Sequence, residues 1–363
     1  MSDNSALRLF LEKTSKDVKN ILLHSDFVKR LPIGVIKERI LDYSVRGGKC
    51  LRPALVLAST GVVGGTPDDA LGIAVAIEMF HTWTLVHDDI IDRDRFRRGG
   101  LTIHAQIYDD FSQWNTHDPG IPRDHLAHSL AILVGDAQHG LVMDLMANAG
   151  LNGHLDPGLI LHLIAGLEGD VLPALLSGEV SDVLQTGIPL ESIEFEDIEI
   201  MLRRKTGALI AFSALAGGMI GLNCSDRNHP FLQSLDQYGI SLGLAFQLRD
   251  DILGILGDQT KLGKPIGSDF REGKRTLAIK IAFDRADKPS KLKIKKLLGK
   301  SDLTLDEYEQ LKQFCIFWGG VDEVESWARK LIDKALQALV TLPDNQYRYL
   351  LQAIAEYTVN RQK

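Results

Sequence analysis

Apolar residues in this chain return every three or four positions over most of its length, and runs of alternating Val, Ile or Thr bounded by turn residues are hard to find. That period puts apolar side chains on one side of a helix, whereas a half-buried strand needs strict alternation. The spacing predicts helices over residues 7–23, 33–45, 54–62, 70 into an acidic segment near 90, 125–146, 157–183, 193–220 (one or two helices), 232–256, 276–286, 305–318, 322–342 and 345–359. Gly47-Gly48, Gly64-Gly65-Thr66-Pro67 and the polar stretch Asn223–Asn228 break them, Pro53 suits a first helical turn, and Thr66 or Asp68 is placed to cap the next helix. Residues 105–125 form the longest polar connection, read as a surface loop or a mobile flap around Pro119, Gly120 and Pro122. No low-complexity linker divides the chain, so the expectation is one all-α domain over residues 1–363.

Composition narrows the functional classes. A hydrophobic content of 45% with 25% charged residues is that of a globular protein with a large core. The formal net charge of −7 argues against a nucleic-acid coat, and the basic run Lys291–Lys300 reads as a solvated helix face. Cys50, Cys224 and Cys315 are far apart and form no CxxC pair, which gives no sign of zinc or a disulfide framework and suits a reducing compartment. The first residues contain acids and no long apolar stretch, so a signal peptide is not expected. The longest apolar run, Ala208–Leu222, is shorter than a membrane span and carries Ser213, Gly217 and Gly218. The expectation is a cytoplasmic protein without stable membrane insertion.

Residues 81–99, HTWTLVHDDIIDRDRFRRG, interrupt an otherwise buried helix with Asp88, Asp89 and Asp92. At about 100° per residue, Asp88 and Asp92 project from nearly the same side, and Thr84 and His81 fall on that stripe. Two carboxylates one turn apart repel unless a cation lies between them, and a hard divalent ion such as Mg2+ takes carboxylates together with phosphate oxygens. A second acidic pair, Asp250-Asp251, ends another apolar helix in a similar way. Acids offered by two facing helices are one way to build a metal centre in a helical bundle.

Four cationic clusters coincide with glycine or proline turns: RGGKCLRP (46–53), RRGG (97–100), RRKTG (203–207) and KLGKPIGSDFREGKRT (261–276). Glycine permits close backbone approach and Lys or Arg offsets the charge of a phosphate. The last cluster is not a P-loop, because five residues separate Gly267 from Gly273 and Arg275, not Ser or Thr, follows Lys274. Two acidic centres, four cationic turns and an apolar helical scaffold together fit a diphosphate carrying a hydrocarbon tail.

These segments, with GDAQHG around Asp136, GEVSD around Asp182 and FQLRDD (246–251), resemble in order the trans-isoprenyl diphosphate (polyprenyl) synthases, short-chain type. The resemblance runs from about Ile33 to the C-terminus. It implies a single large helical bundle of the isoprenoid synthase type with a central active-site cavity, a homodimer, and Mg2+ as cofactor, three ions per site. The implied reaction condenses isopentenyl diphosphate with an allylic diphosphate: the allylic C–O bond ionises, the isopentenyl double bond attacks the cation, and a proton is lost. Residue by residue, it implies that Asp88 and Asp92 hold Mg2+ with Asp89 in support, and that Asp250 holds a further Mg2+. Lys49, Arg52, His81 and Arg98 would hold isopentenyl diphosphate; Arg97, Lys205, Thr206, Gln247, Lys264 and Lys274 would surround the allylic diphosphate. Thr206 and Gln247 would also face the allylic cation.

The chain departs from the pattern at Gly254, where a third acid is usual, at Cys50, often Arg, and at Glu179, where Gln is common. On a helix Trp83 lies about 7.5 Å below Asp88, with Phe80 one turn deeper. By the resemblance a bulky residue there floors the tail channel, implying a product of C15 to C20, with C20 favoured. The helical wheel instead points Thr84 along the Asp88 stripe and turns Trp83 away from it. Read without the family, Phe80 and Trp83 are plain core and His81 is a satisfied core histidine. Three other functions fit the residues less well. A His87-Asp88 phosphohydrolase dyad leaves the cationic turns unexplained. A terpene cyclase would not need Lys49 and Arg52. A non-catalytic subunit of a heteromeric synthase should have lost the first acidic motif.

Overall fold

The computed structural model describes residues 3–32, 34–110, 120–151, 155–256 and 267–360. The fold is all-α; among the described residues the only strands are the two-residue segments Phe96–Arg97 and Gly100–Leu101. These residues fall into two compact units, Met1–Ile164 with Ala216–Ser225, and Ala165–Leu215 with Asp226–Lys363.

In the first unit the helix Leu71–Ile91 is buried along Ile73–Phe80 and packs on Leu51–Val62 and on Arg123–Leu151. Every residue of Leu51–Val62 is buried, including Ser59 and Thr60, and Thr60 Oγ1 donates back to the Val56 carbonyl. The expected helix over 33–45 divides into Gly34–Arg39 and Asp42–Arg46. The division turns Tyr43 inward, fully buried against Val86, Ile103, Ile107 and Val134. The expected loop over 105–125 begins later than its polarity suggests. Ile103–Asp109 is helical because Ile103, Ala105 and Ile107 are buried, and the next helix starts at Arg123. Residues 111–119 of that loop lie outside the described residues.

In the second unit Pro230–Leu256 packs on Gly320–Ala338 and Gln346–Asn360. The predicted helix 157–183 is Pro157–Gly166 and Leu172–Gln185 joined through one wide turn, Leu167–Val171, with i→i+5 bonding. Phe195–Leu202 and Ala208–Leu222 are likewise joined through the wide turn Arg203–Gly207. Such turns insert a residue without ending the helix and recur at functional sites. They also lengthen the apolar elements. Four helices, Pro67–Ile91, Arg123–Leu151, Pro157–Gln185 and Phe195–Leu222, are long and apolar enough to cross a membrane by length and composition, beyond the single 15-residue run expected.

Candidate active site

The acidic end of Leu71–Ile91 closes with a left-handed cap. Asp92 is the C-cap, Arg93 has φ +58°, the Asp94 N–H donates to the Asp89 carbonyl at 2.9 Å, and the Arg93 N–H donates to the Ile90 carbonyl at 3.3 Å. This two-bond closure ends the helix and fixes Asp88, Asp89 and Asp92 in its final turn. The negative end of the helix dipole is there, which disfavours each carboxylate by roughly 0.3–1 kcal/mol. Asp88 and Asp92 nevertheless bring carboxylate oxygens within 4.8 Å of one another. The arrangement is stable only with positive charge nearby.

Arg97 supplies part of that charge. Its Nε donates to Asp89 Oδ1 at 2.5 Å and its Nη2 to Asp88 Oδ2 at 3.1 Å, with Asp94 Oδ2 at 3.8 Å. Burial opposes the guanidinium charge, but Asp89, Asp88 and Asp94 outweigh it and hold Arg97 above its ordinary pKa. A hairpin delivers this residue: Arg97 pairs with Gly100, and the two loop residues Arg98 and Gly99 have φ +51° and +74°. Two positive φ values are what the commonest two-residue hairpin turn requires.

The RGGK and RRGG motifs interlock. A Cβ added to Gly48 would lie 2.8 Å from Arg98 Nη2, and one added to Gly100 would lie 2.5 Å from Arg46 Nη1. Each motif's glycine thus leaves room for the other's guanidinium. Arg98 donates to the Tyr43 carbonyl at 2.7 Å and approaches Glu78 at 3.6 Å; Arg46 donates to the Leu101 carbonyl at 2.6 Å. Burial, then Arg52, Arg98 and Arg97, push His81 well below the usual histidine range, so its imidazole is neutral at pH 7. Burial pushes the Glu78 carboxyl up, opposed by Arg98 and Arg52. Arg52 is buried and Lys49 exposed, beside Cys50, whose burial pushes its thiol up to about 11 and leaves it protonated. Arg52, Arg98 and His81, three of the residues predicted for isopentenyl diphosphate, therefore share one corner of this unit.

Below the acids, Trp83 stacks edge-on against the fully buried Phe80 (ring centroids 5.0 Å), and its ring lies 5.0 Å from His139 and 5.6 Å from His87. Its indole N–H is buried without a hydrogen-bond partner among the described residues. Thr84 donates its hydroxyl to the His81 carbonyl at 2.8 Å. His87 turns away from the acids to within 4.0 Å of Asp136, over Gly135, where a Cβ would collide with the ring.

The second unit holds the other predicted residues, except Lys264, which lies outside the described residues. Lys205 and Thr206 occupy the wide turn Arg203–Gly207. A Cβ at Gly178 would meet the Lys205 backbone, and one at Gly243 would lie 2.8 Å from Gly207 Cα, so glycines on both neighbouring helices let the turn approach. Lys205 Nζ then lies 2.6 Å from Asp182 Oδ2 and 2.9 Å from Glu179 Oε2. Thr206 donates to Gln247 Oε1 at 2.7 Å, and Gln247 Nε2 donates to Asp251 Oδ1 at 2.8 Å. Burial pushes Asp251 well above the carboxylate range; Gln247 opposes this, and Asp269, Asp250 and Asp182 add to it. Lys274 Nζ pairs with Glu272 at 3.0 Å. Neither composition nor spacing singles out Tyr43, Glu78 or Asp269; Asp269 lies within KLGKPIGSDFREGKRT, and a Tyr just before RGGK is the signal available for Tyr43.

The hard oxygen pair Asp88–Asp92, with no Cys or His in its ligand cluster, suits Mg2+ better than zinc. Helices bearing such acids beside phosphate-type cations define a diphosphate-processing helical enzyme. The polyprenyl synthetase family model matches residues 35–315, and the chain belongs to that family. It is a trans-prenyltransferase of the chain-elongating type. The chain is 32% identical over 332 residues to a geranylgeranyl diphosphate synthase of Saccharolobus solfataricus, covering 90% of this chain and 91% of that one. It is 31% identical to a geranylfarnesyl diphosphate synthase of Aeropyrum pernix, covering 87% and 91%. A crystal structure of geranylgeranyl pyrophosphate synthase from Corynebacterium glutamicum, complexed with isoprenyl diphosphate and magnesium, superposes with TM-score 0.84 at 25% identity, covering all of both chains. The cyclase and non-catalytic readings gain no support from these relatives.

Proposed function

We propose that this enzyme condenses isopentenyl diphosphate with an allylic diphosphate and releases a C20, or secondarily C15, prenyl diphosphate. The observation that carries the reading is the Asp88–Asp92 pair at a helix C-terminus, held beside Arg97. Asp88 and Asp92 would hold Mg2+ with Asp89 orienting Arg97, and Asp250 would hold a further ion, three ions in all. Metal bound there would supply charge stabilisation for the diphosphate leaving group.

The protein's own groups position and discharge. Arg97, Lys205, Thr206, Gln247 and Lys274 are the groups that would bind the allylic diphosphate, with Lys205 exchanging Glu179 and Asp182 for phosphate oxygens. Lys49, Arg52, Arg98 and neutral His81 hold isopentenyl diphosphate, His81 donating an N–H without adding charge. Thr206 and Gln247 oxygens face the developing allylic cation. The isopentenyl π bond attacks that carbon as the C–O bond breaks, and the proton next to the new cation passes to an oxygen of the released diphosphate, leaving the new double bond. Trp83 over Phe80 limits the tail; the named relatives differ in product, so this floor rather than family membership supports C20.

Ile132 and Leu133 on Arg123–Leu151, and in the other unit Leu176, Val180 and Leu184, are apolar and 43–63% exposed, which supports a homodimer over membrane insertion as what covers them. Three cysteines without a disulfide support a cytoplasmic setting. Incubating the protein with isopentenyl diphosphate, each allylic primer and Mg2+, followed by mass spectrometry, tests the function. A C20 product supports it; no product with any primer overturns it. Light scattering tests the dimer, for which about 80 kDa is expected from a 40.1 kDa chain.

A further inference from the structure

Tyr43 is fully buried, and both its hydroxyl and its backbone carbonyl are engaged beside the acidic centre. Its hydroxyl donates to Asp89 Oδ2 at 2.5 Å and accepts the Ile103 N–H at 3.1 Å, while its carbonyl accepts from Arg98. Asp89 is itself buried, and its other oxygen takes Arg97 Nε. A buried carboxylate must have its oxygens satisfied. Here one oxygen is satisfied by a neutral donor, which leaves Arg97 free to divide its guanidinium between Asp89 and Asp88. The hydroxyl also joins the acid turn to the first N–H of the helix Ile103–Asp109, and the backbone carbonyl joins it to the RRGG hairpin.

We propose that Tyr43 is a positioning residue that sets the Asp88–Asp92 metal pair through its hydroxyl bond to Asp89, resting on the diphosphate-synthase reading above. Without that hydroxyl, Asp89 is short of one donor and draws Arg97 away from Asp88. Asp88 and Asp92 then meet Mg2+ in a changed geometry. The Arg98 contact is made by the Tyr43 backbone and survives substitution of the side chain, so the isopentenyl side of the site keeps its anchor.

The test is Tyr43→Phe, which keeps the buried ring. The readouts are the Mg2+ concentration for half-maximal activity, separate KM values for the two substrates, and the rise in melting temperature caused by Mg2+ plus inorganic diphosphate. Expected are a three- to thirtyfold higher Mg2+ requirement, a raised allylic KM, an unchanged isopentenyl KM, and a smaller melting rise, with activity recovering at high Mg2+. Asp89→Asn and the double variant complete a cycle, in which the effects should fall well short of additive because both act through one bond. A Tyr43→Phe protein that merely melts lower, with wild-type Mg2+ dependence and both KM values unchanged, overturns the proposal and leaves the synthase reading standing. Wild-type protein that neither forms product nor is stabilised by Mg2+ and diphosphate overturns that reading instead.

Discussion

A Cβ added at Gly254 would stand 2.8 Å from Asp269 Oδ2. The side chain missing from the second acidic motif is thus replaced in space by a carboxylate from the helix Ser268–Glu272. Asp269 also raises the pKa of Asp251, as a nearby carboxylate must, and its backbone carbonyl takes the Lys274 N–H at 2.9 Å. The departure at Gly254 therefore does not leave that centre with two acids. Asp269→Asn should lower kcat by about ten- to a hundredfold and raise the Mg2+ requirement, the scale of losing a supporting group at a metal site. Gly254→Asp alone should impair activity by crowding Asp269, while the double variant recovers part of it; steady-state kinetics across Mg2+ concentrations separate these outcomes.

Lys205 is held by Glu179 as well as Asp182, and it must leave both to meet a diphosphate. Glu179→Gln removes one competing charge from a largely buried pair. The allylic KM should fall by about two- to tenfold with kcat little changed, since the interaction lost is with the free enzyme. A raised KM would mean that Glu179 contributes to binding instead.

Trp83 covers Phe80 and is braced by His139. Trp83→Ala opens space one turn above a residue with no exposure, so the product should lengthen by one or more C5 units, read by mass spectrometry. An unchanged product distribution would remove Trp83 as the floor, and Thr84, whose hydroxyl is tied to the His81 carbonyl, would be the residue to test next.

Acid should destabilise the fold through His104. Burial, with His128 and Arg95 against Asp94 and Asp124, pushes its imidazole down to about 4 from 6.5. The unfolded chain therefore binds a proton there that the folded chain refuses, so stability is complete above pH 6.5 and declines as pH falls toward 4. The loss should be on the order of 3 kcal/mol, from 1.36 kcal/mol per unit. Denaturant melts between pH 7 and 4 should show a shallower decline in His104→Gln.

The helical architecture was legible because burial imposes a period, and the acidic and basic motifs were legible because they violate it. Three features were not. The break near residues 40–41 that turns Tyr43 inward is set by packing against Ile103 and Val134 rather than by any Gly or Pro. The wide turns at Leu167–Val171 and Arg203–Gly207 shift the phase of the helix, which a fixed 3.6-residue period cannot register. The replacement of a missing acid by Asp269 is a contact between separate helices, and Gly254 alone signals only an absence.

The central claim is that Asp88 and Asp92 form the metal pair that draws the diphosphate off the allylic substrate. Release of inorganic diphosphate from allylic and isopentenyl diphosphates tests it most directly, titrating Mg2+ with wild type and with Asp88→Asn and Asp92→Asn. Strict Mg2+ dependence is expected in the wild type, with a loss of at least about a thousandfold in each variant, in keeping with removal of charge stabilisation from a transition state. Wild-type release without a divalent ion, or variants within a few-fold of wild type at the same Mg2+ concentration, would contradict it.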